Sequence, residues 1–361
     1  MEECGGSTTA PAGATVVFTL YADGEVTEYT VTLDGTADKA PTVTGGYESV
    51  AWKAAFVNLP KYQDGTTTAI IYTVAETTGY PKYIPSTTDP VASGSTITNT
   101  REVGNLKVSK TVVSDLAADA DKEFDFRVEL SDKTVSGTFG DMEFTNGVAE
   151  FKLKGGDSKN AEGLPTDVEY TVTETADEDF ETKKIGDTGT ITVEKAGSAE
   201  FTNTRKTGDL EVTKTVVSDL AADANREFEF TVTLSDKTIS GTYGDMTFTD
   251  GVATFTLKGG EKKTATGLPT TVTYTVEEKA DEDFTTEKTG DTGTITAEEA
   301  GSAEFTNTRK TGDLTVTKTL ISDMEADKAL DFEFTVTLSD TSISGTYGDM
   351  IFTDGVATFT L

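Results

Sequence analysis

Phe228-Glu-Phe-Thr-Val-Thr-Leu234 places an apolar side chain at every second position. Successive side chains of a strand point to opposite faces, so Phe228, Phe230, Val232 and Leu234 share one face while Glu229, Thr231 and Thr233 share the other. Aromatic and β-branched residues in this alternation predict a strand with one face in a core. The same face recurs 104 residues earlier as Phe124, Phe126, Val128 and Leu130. Residues 105–208 align on 209–312 without a gap and with 27 differences, most of them exchanges among Thr, Glu, Lys and Asp. The apolar pattern is repeated while the solvated one drifts, which marks tandem copies of one unit.

Working outward, Thr254-Phe-Thr-Leu257 and Tyr274-Thr-Val276 read as further strands. Thr249-Asp-Gly251, Lys258-Gly-Gly260 and Gly290-Asp291 read as the turns between them. Short strands at such intervals predict an all-β sandwich of about a hundred residues. Asp219-Leu-Ala-Ala-Asp-Ala224 is the one helix-prone stretch, enough for a single turn in a loop. The repeat divides the chain into units at 1–103, 104–207, 208–311 and 312–361. The first opens near the equivalent of the second strand, at Val17-Phe-Thr-Leu-Tyr-Ala-Asp-Gly24, so it is expected to lack its first strand. The last covers about half a repeat. The expectation is a fragment of a longer chain. Short junctions such as Thr204-Arg-Lys-Thr-Gly-Asp209 suggest beads held in an extended rod.

Composition narrows the function. With 63 acidic and 30 basic residues the net charge is −33, which disfavours nucleic acid and anionic membrane surfaces as partners. No apolar run long enough for a membrane helix is present, and Met1-Glu-Glu-Cys4 opens no signal peptide. One cysteine, Cys4, excludes an internal disulfide framework. There is no histidine, the commonest general base and metal ligand. A conventional enzyme is therefore the weakest reading, and no cofactor or metal is called for.

Three polar residues break the apolar pattern in each complete unit. Leu106 and Val108 lead to Lys110, Tyr170 and Val172 to Glu174, and Ala199 and Phe201 to Asn203. Parity puts each polar residue on the face of the apolar residues before it. Lys214, Glu278 and Asn307 repeat the pattern 104 residues on; Glu277 adjoins Glu278 but has the opposite parity. Read singly, these are an edge lysine, an exposed glutamate and a turn asparagine. Read together, they are three groups costly to bury without a purpose. A buried lysine loses its charge more readily and becomes a nucleophile. A buried carboxyl is pushed towards its protonated form, able to donate to the amide's carbonyl oxygen, polarising it, and to shuttle protons. The asparagine amide is then the electrophile. Attack by the lysine nitrogen expels ammonia and leaves an isopeptide bond, with proximity in the core supplying the rate.

Leu314-Thr-Val-Thr-Lys-Thr319, Tyr274-Thr-Val-Glu-Glu278 and Phe305-Thr-Asn-Thr308 resemble the strands of Cna B-type domains. In the first unit the resemblance rests on Thr19-Leu-Tyr-Ala-Asp-Gly24, Phe56-Val-Asn-Leu-Pro-Lys-Tyr62 and Tyr72-Thr-Val-Ala-Glu-Thr-Thr-Gly-Tyr80. It covers essentially the whole chain. It implies a tandem array of Ig-like, transthyretin-like β-sandwiches of the kind found in Gram-positive surface adhesins and pilins. It also implies a Lys–Asn isopeptide bond with a catalytic acid, roles that fall on Lys110, Glu174 and Asn203 and on Lys214, Glu278 and Asn307. Glu76 and Asn99 lack a partner lysine, since the first lysine is Lys39, and Lys318 lacks an acid and an asparagine.

The function expected is a structural stalk, extracellular and anchored to the cell surface or wall. Its partners would be neighbouring repeats of the same chain and, through a tip outside these residues, a host protein or glycan. The alternative is a ligand-binding adhesin module, with the divergent unit 1–103 as the place to seek the ligand. The acidic loop Asp219–Asn225, with Asp115, Asp119 and Asp121 in the preceding unit, lacks the glycine and alternation of a calcium loop and reads as a solvated face. Tyr80-Pro-Lys82 reads as a turn, and Trp52 and Phe56 as core residues of the first unit.

Overall fold

The fold is that of a computed structural model, which describes residues 13–35, 47–50 and 52–361. Cys4 and Lys39 lie outside them. The chain divides into two compact units. One holds the residues up to Val112, Asp121–Asp177 and Thr182–Asn203, and the other holds Val113–Ala120, Glu178–Glu181 and Thr204–Leu361.

Residues 207–309 show how the sequence pattern becomes a sandwich. The alternating stretch Phe228–Leu234 is a strand, and its four apolar residues are at most 2% exposed. It pairs antiparallel with Val252–Leu257 on one side and Thr273–Glu278 on the other, and Thr292–Thr294 completes a four-stranded sheet. The second four-stranded sheet runs in the order Lys262–Pro269, Thr207–Val217, Gly301–Arg309, Phe284–Thr289. Its central pair, Thr207–Val217 with Gly301–Arg309, is parallel. That pairing joins the first strand of the repeat to its last, so the two ends of the unit lie side by side. Leu210 and Val212 from one sheet meet Phe230, Val232 and Val276 from the other in a single apolar cluster. Near the start, a side chain at Gly208 would run into the Thr296 carbonyl, so only glycine lets the two segments approach.

The first complete repeat builds the same two sheets, ordered Val148–Leu153, Phe124–Leu130, Glu169–Glu174, Thr188–Thr190 and Ser158–Pro165, Val103–Val113, Gly197–Arg205, Phe180–Ile185. The protein is thus an all-β tandem array of sandwiches. The helix-prone loop forms a single 3-10 turn, Ala221–Asn225, matched by Ala117–Asp121 and Glu325–Ala329.

Ahead of these repeats, Val16–Ala22 pairs with Glu25–Leu33 and Tyr72–Thr78, and Val91–Ala92 closes that sheet. Asn99–Arg101 pairs with Tyr83–Pro85. Val16, Val31 and Leu33 form the local core, with Phe18 and Phe56 packed on it. Trp52 departs from the expectation: it is 36% exposed, its backbone at φ 61° in a tight turn between two short strands. After the repeats, Glu333–Thr337 pairs with Val356–Thr360 and Gly345–Tyr347 with Met350–Phe352. No helix among the described residues is long and apolar enough to cross a membrane.

Candidate functional site

The parallel first–last strand pair sets the geometry of the site. Lys214 stands opposite Phe305, and Asn307 lies two residues further along the same strand on the same inward face. Glu278 arrives from the facing sheet, where its strand pairs opposite Phe230. Lys214 and Asn307 are fully buried, and the Glu278 side chain is 2% exposed. Lys214 Nζ donates to Glu278 Oε2 at 2.8 Å, and Asn307 Nδ2 donates to Glu278 Oε1 at 2.5 Å. Glu277 is exposed on the other face.

The preceding repeat holds the same arrangement. Lys110 Nζ donates to both oxygens of Glu174 at 3.1 and 3.0 Å, and Asn203 Nδ2 donates to Glu174 Oε1 at 2.5 Å. In both clusters the glutamate touches the two nitrogens at once. It therefore contacts an amine nitrogen and an amide nitrogen together. The contact differs from the one expected: the carboxylate accepts from the amide nitrogen, while Asn203 Oδ1 and Asn307 Oδ1, to which it was expected to donate, are buried without a hydrogen-bond partner.

Two influences oppose each other at the amine. Burial pulls the Lys110 and Lys214 ammonium groups below the usual lysine range, and their hydrogen bonds to Glu174 and Glu278 pull back. Each Nζ also sits 4.4 Å from the centre of a phenylalanine ring, Phe124 for Lys110 and Phe228 for Lys214. The sequence marked these rings only as core; their alternation carries no sign that they cap an amine. Their offset of 14 residues from each lysine, the same in both repeats, was the available clue.

The unpaired equivalents are placed as follows. Glu76 and Asn99 are buried at 8% and 4% exposure, and Asn99 Nδ2 donates to both Glu76 oxygens at 3.0 Å. Burial pushes the Glu76 carboxyl above the ordinary range, and the Asn99 hydrogen bond opposes it. Asn99 Oδ1 has no partner there either. Lys318 is exposed on a segment outside any strand, yet keeps the ring contact, 4.4 Å from Phe332.

The acidic loops depart from the solvated face expected of them, because Asp119 and Asp223 are buried and engaged by protein groups. Asp119 accepts from Ser114 Oγ at 2.5 Å and lies 3.6 Å from the Arg205 guanidinium. Asp223 accepts from Ser218 Oγ at 2.5 Å and pairs with Arg309 at 3.1 Å. Among the described residues, no group of three or more His, Cys, Asp or Glu is placed to hold a metal ion. Lys82 of the Tyr80-Pro-Lys82 turn pairs with Asp167 at 3.0 Å.

Comparison with known proteins adds the following. Residues 104–205 and 208–309 each match the family described as Domain of unknown function (DUF7601). Residues 6–100 match the Cna protein B-type domain. Among curated proteins, the pilus tip adhesin Cpa of Streptococcus pyogenes is 40% identical over 88 residues, covering 22% of this chain. The chain spans 13% of that relative's length. Among solved structures, the major pilin protein T3.2 of Streptococcus pyogenes is 20% identical, with a TM-score of 0.38, covering 58% of this chain and 99% of that one. Two B repeat units of the collagen binding protein of Staphylococcus aureus are 19% identical, with a TM-score of 0.26, covering 83% and 70% of the two chains.

Proposed function

The chain belongs to the family described as Domain of unknown function (DUF7601), with a Cna protein B-type domain ahead of its two repeats, and from that premise we propose that it is a stalk segment of a bacterial cell-surface adhesin or pilin, stiffened by internal Lys–Asn cross-links. The units run 1–103, 104–207, 208–311 and 312–361. Its work is structural. The only chemistry is a single turnover on itself in each complete repeat.

The observation that carries this reading is the contact of one buried carboxyl with both a buried amine and a buried amide nitrogen, present twice. Lys214 Nζ attacks Asn307 Cγ as a neutral amine. The new C–N bond forms as the Cγ–Nδ2 bond breaks. Glu278 accepts a proton from Nζ and delivers one to Nδ2, which departs as ammonia. The carboxyl ends as it began. The phenylalanine ring and the sealed core keep water from the amide, and packing holds the reactants within reach. Lys110, Glu174 and Asn203 act in the same way.

The cross-link joins the first strand to the last. It closes a loop of 93 residues from Lys110 to Asn203. By analogy with a disulfide, closing such a loop stabilises by about 4–5 kcal/mol in the chain-entropy model. A pull on the two ends of a repeat then passes through the bond and bypasses most of the fold, which suits a stalk under load. The test is intact mass after denaturation. The expected mass is two ammonia molecules below that of the sequence, one for each complete repeat. The full sequence mass would reject the cross-links.

A further inference from the structure

The loop after each lysine strand does more than connect. Ser114 Oγ receives the backbone N–H of Leu116 at 3.1 Å and donates to Asp119, folding Ser114–Asp119 into a tight turn. Ser218–Asp223 and Ser322–Asp327 form the same turn with the same bonds. The third forms although Met324 at its tip is 65% exposed, so the turn is built by its own hydrogen bonds.

The tip of the first turn is elsewhere in the core. Leu116 is 9% exposed and belongs to the apolar cluster of residues 210–305, the repeat that follows its own. Beside it, Tyr243 Oη donates to Asp115 Oδ2 at 2.9 Å. One repeat on, Tyr347 Oη donates to Asp219 Oδ2 at 3.1 Å. Burial, together with the Asp115 carboxylate, pushes the Tyr243 hydroxyl up to about 12, so it stays a donor. The equivalent residue in the first complete repeat is Phe139. Its ring meets Phe144 at 5.9 Å edge to face, as Tyr243 meets Phe248, but it has no hydroxyl. The position 104 residues before Ser114-Asp-Leu116 reads Ala10-Pro-Ala12. The hydroxyl thus occurs where a Ser-Asp-apolar sequence precedes by one repeat, and phenylalanine stands where that sequence is absent.

The linker reinforces the contact. Lys206 alone separates the strands Gly197–Arg205 and Thr207–Val217. Its N–H donates to Asp179 O and its carbonyl accepts from Thr270 N–H, both at 3.0 Å. Arg205, 8% exposed, donates to Thr270 O at 3.3 Å and Thr271 Oγ1 at 2.8 Å, and pairs with Asp179 at 3.2 Å.

We propose that Ser114–Leu116 and Ser218–Leu220 are docking tabs, each seated in a socket on the next repeat, and that tyrosine at 243 and 347 makes the socket specific for a tab-bearing neighbour. The partner is an adjoining repeat of the same kind. A preformed turn costs little to dock, and its leucine supplies the apolar anchor. Tyrosine against phenylalanine then records which neighbour a repeat is built to receive. This inference is independent of the cross-links.

Hydrogen exchange on the full chain tests it. Leu116→Ala should raise exchange across residues 114–121 by an order of magnitude or so, as a lost buried leucine anchor implies. Tyr243→Phe should raise it several-fold in that segment and leave residues 218–225 unchanged. Phe139→Tyr should change neither tab. Unaltered exchange at 114–121 in both Leu116→Ala and Tyr243→Phe would overturn the proposal. So would an equal rise across the strand Thr273–Glu278, which would mark a loosened repeat and not a released tab.

Discussion

Lys214 and Glu278 meet at 2.8 Å with their side chains 0% and 2% exposed, an ion pair sealed inside a sandwich. Such a pair is weak evidence for stability, because desolvating two charges offsets most of their attraction. Its placement against the Asn307 amide is what the proposed cross-linking step draws on. Glu278→Gln keeps the shape of the side chain but cannot take a proton from Nζ. Intact mass of this variant is expected to rise by one ammonia relative to wild type, apart from the substitution itself, while the bond at Lys110 persists. A variant still lacking both ammonias would show that Glu278 is not the proton carrier.

Glu76 sets a pH dependence in the first unit. Its folded pKa is raised above the usual 4.5 by burial. A carboxyl raised on folding contributes stability that is full below its unfolded pKa and lost as pH rises through the folded value. The segment 13–101 should therefore melt higher at pH 4–5 than at pH 7, as an order-of-magnitude window from this shift. Glu76→Gln keeps an acceptor for Asn99 Nδ2 and removes the titration. It should raise the melting temperature of this unit at neutral pH and flatten its pH profile. A melting profile as steep as that of the wild type would assign the dependence to other groups.

Much of this was legible because a strand has a period of two. Parity alone put Lys110, Glu174 and Asn203 on inward faces, and the structure brings these three side chains into contact. Parity does not fix register between strands. That Asn307 lies within reach of Lys214 follows from the parallel pairing of Thr207–Val217 with Gly301–Arg309, which joins residues about ninety apart and leaves no local trace. Leu116 was hidden for a similar reason. It reads as a loop residue in its own repeat, and its burial comes from the next one. Trp52 was misread because a large aromatic in a small unit reads as core, whereas its positive φ holds it in a turn.

Phe228 should govern the rate of cross-linking more than its extent. Its ring lies 4.4 Å from Lys214 Nζ and occupies space that water would otherwise take. Phe228→Leu keeps the site apolar while opening part of that space, at a cost to the fold of about 1–1.5 kcal/mol. A better-hydrated Nζ is more often charged and less nucleophilic. Followed by intact mass in freshly synthesised chain as it first folds, the loss of ammonia assigned to this repeat should be slower than that assigned to the repeat holding Phe124. Equal rates in the two repeats would leave the ring with a packing role only.

The cross-link and the buried charges can be separated by comparing two variants. Glu278→Gln removes the bond and also leaves the Lys214 ammonium buried without its carboxylate. Adding Lys214→Met removes that stranded charge and fills the same channel with an apolar chain of similar length. Removing one partner of a buried pair costs about 3–5 kcal/mol, while replacing both by apolar or neutral groups is often nearly neutral. The double variant should therefore unfold at higher denaturant concentration than Glu278→Gln alone, although neither is cross-linked. It should still fall short of wild type by about the 4–5 kcal/mol expected from releasing the loop. Chemical denaturation with the second-repeat transition followed separately would measure both gaps. If the double variant were no more stable than the single one, Lys214 would be a neutral amine and not a stranded charge in the single variant, and the cost assigned to the buried ammonium would be overturned.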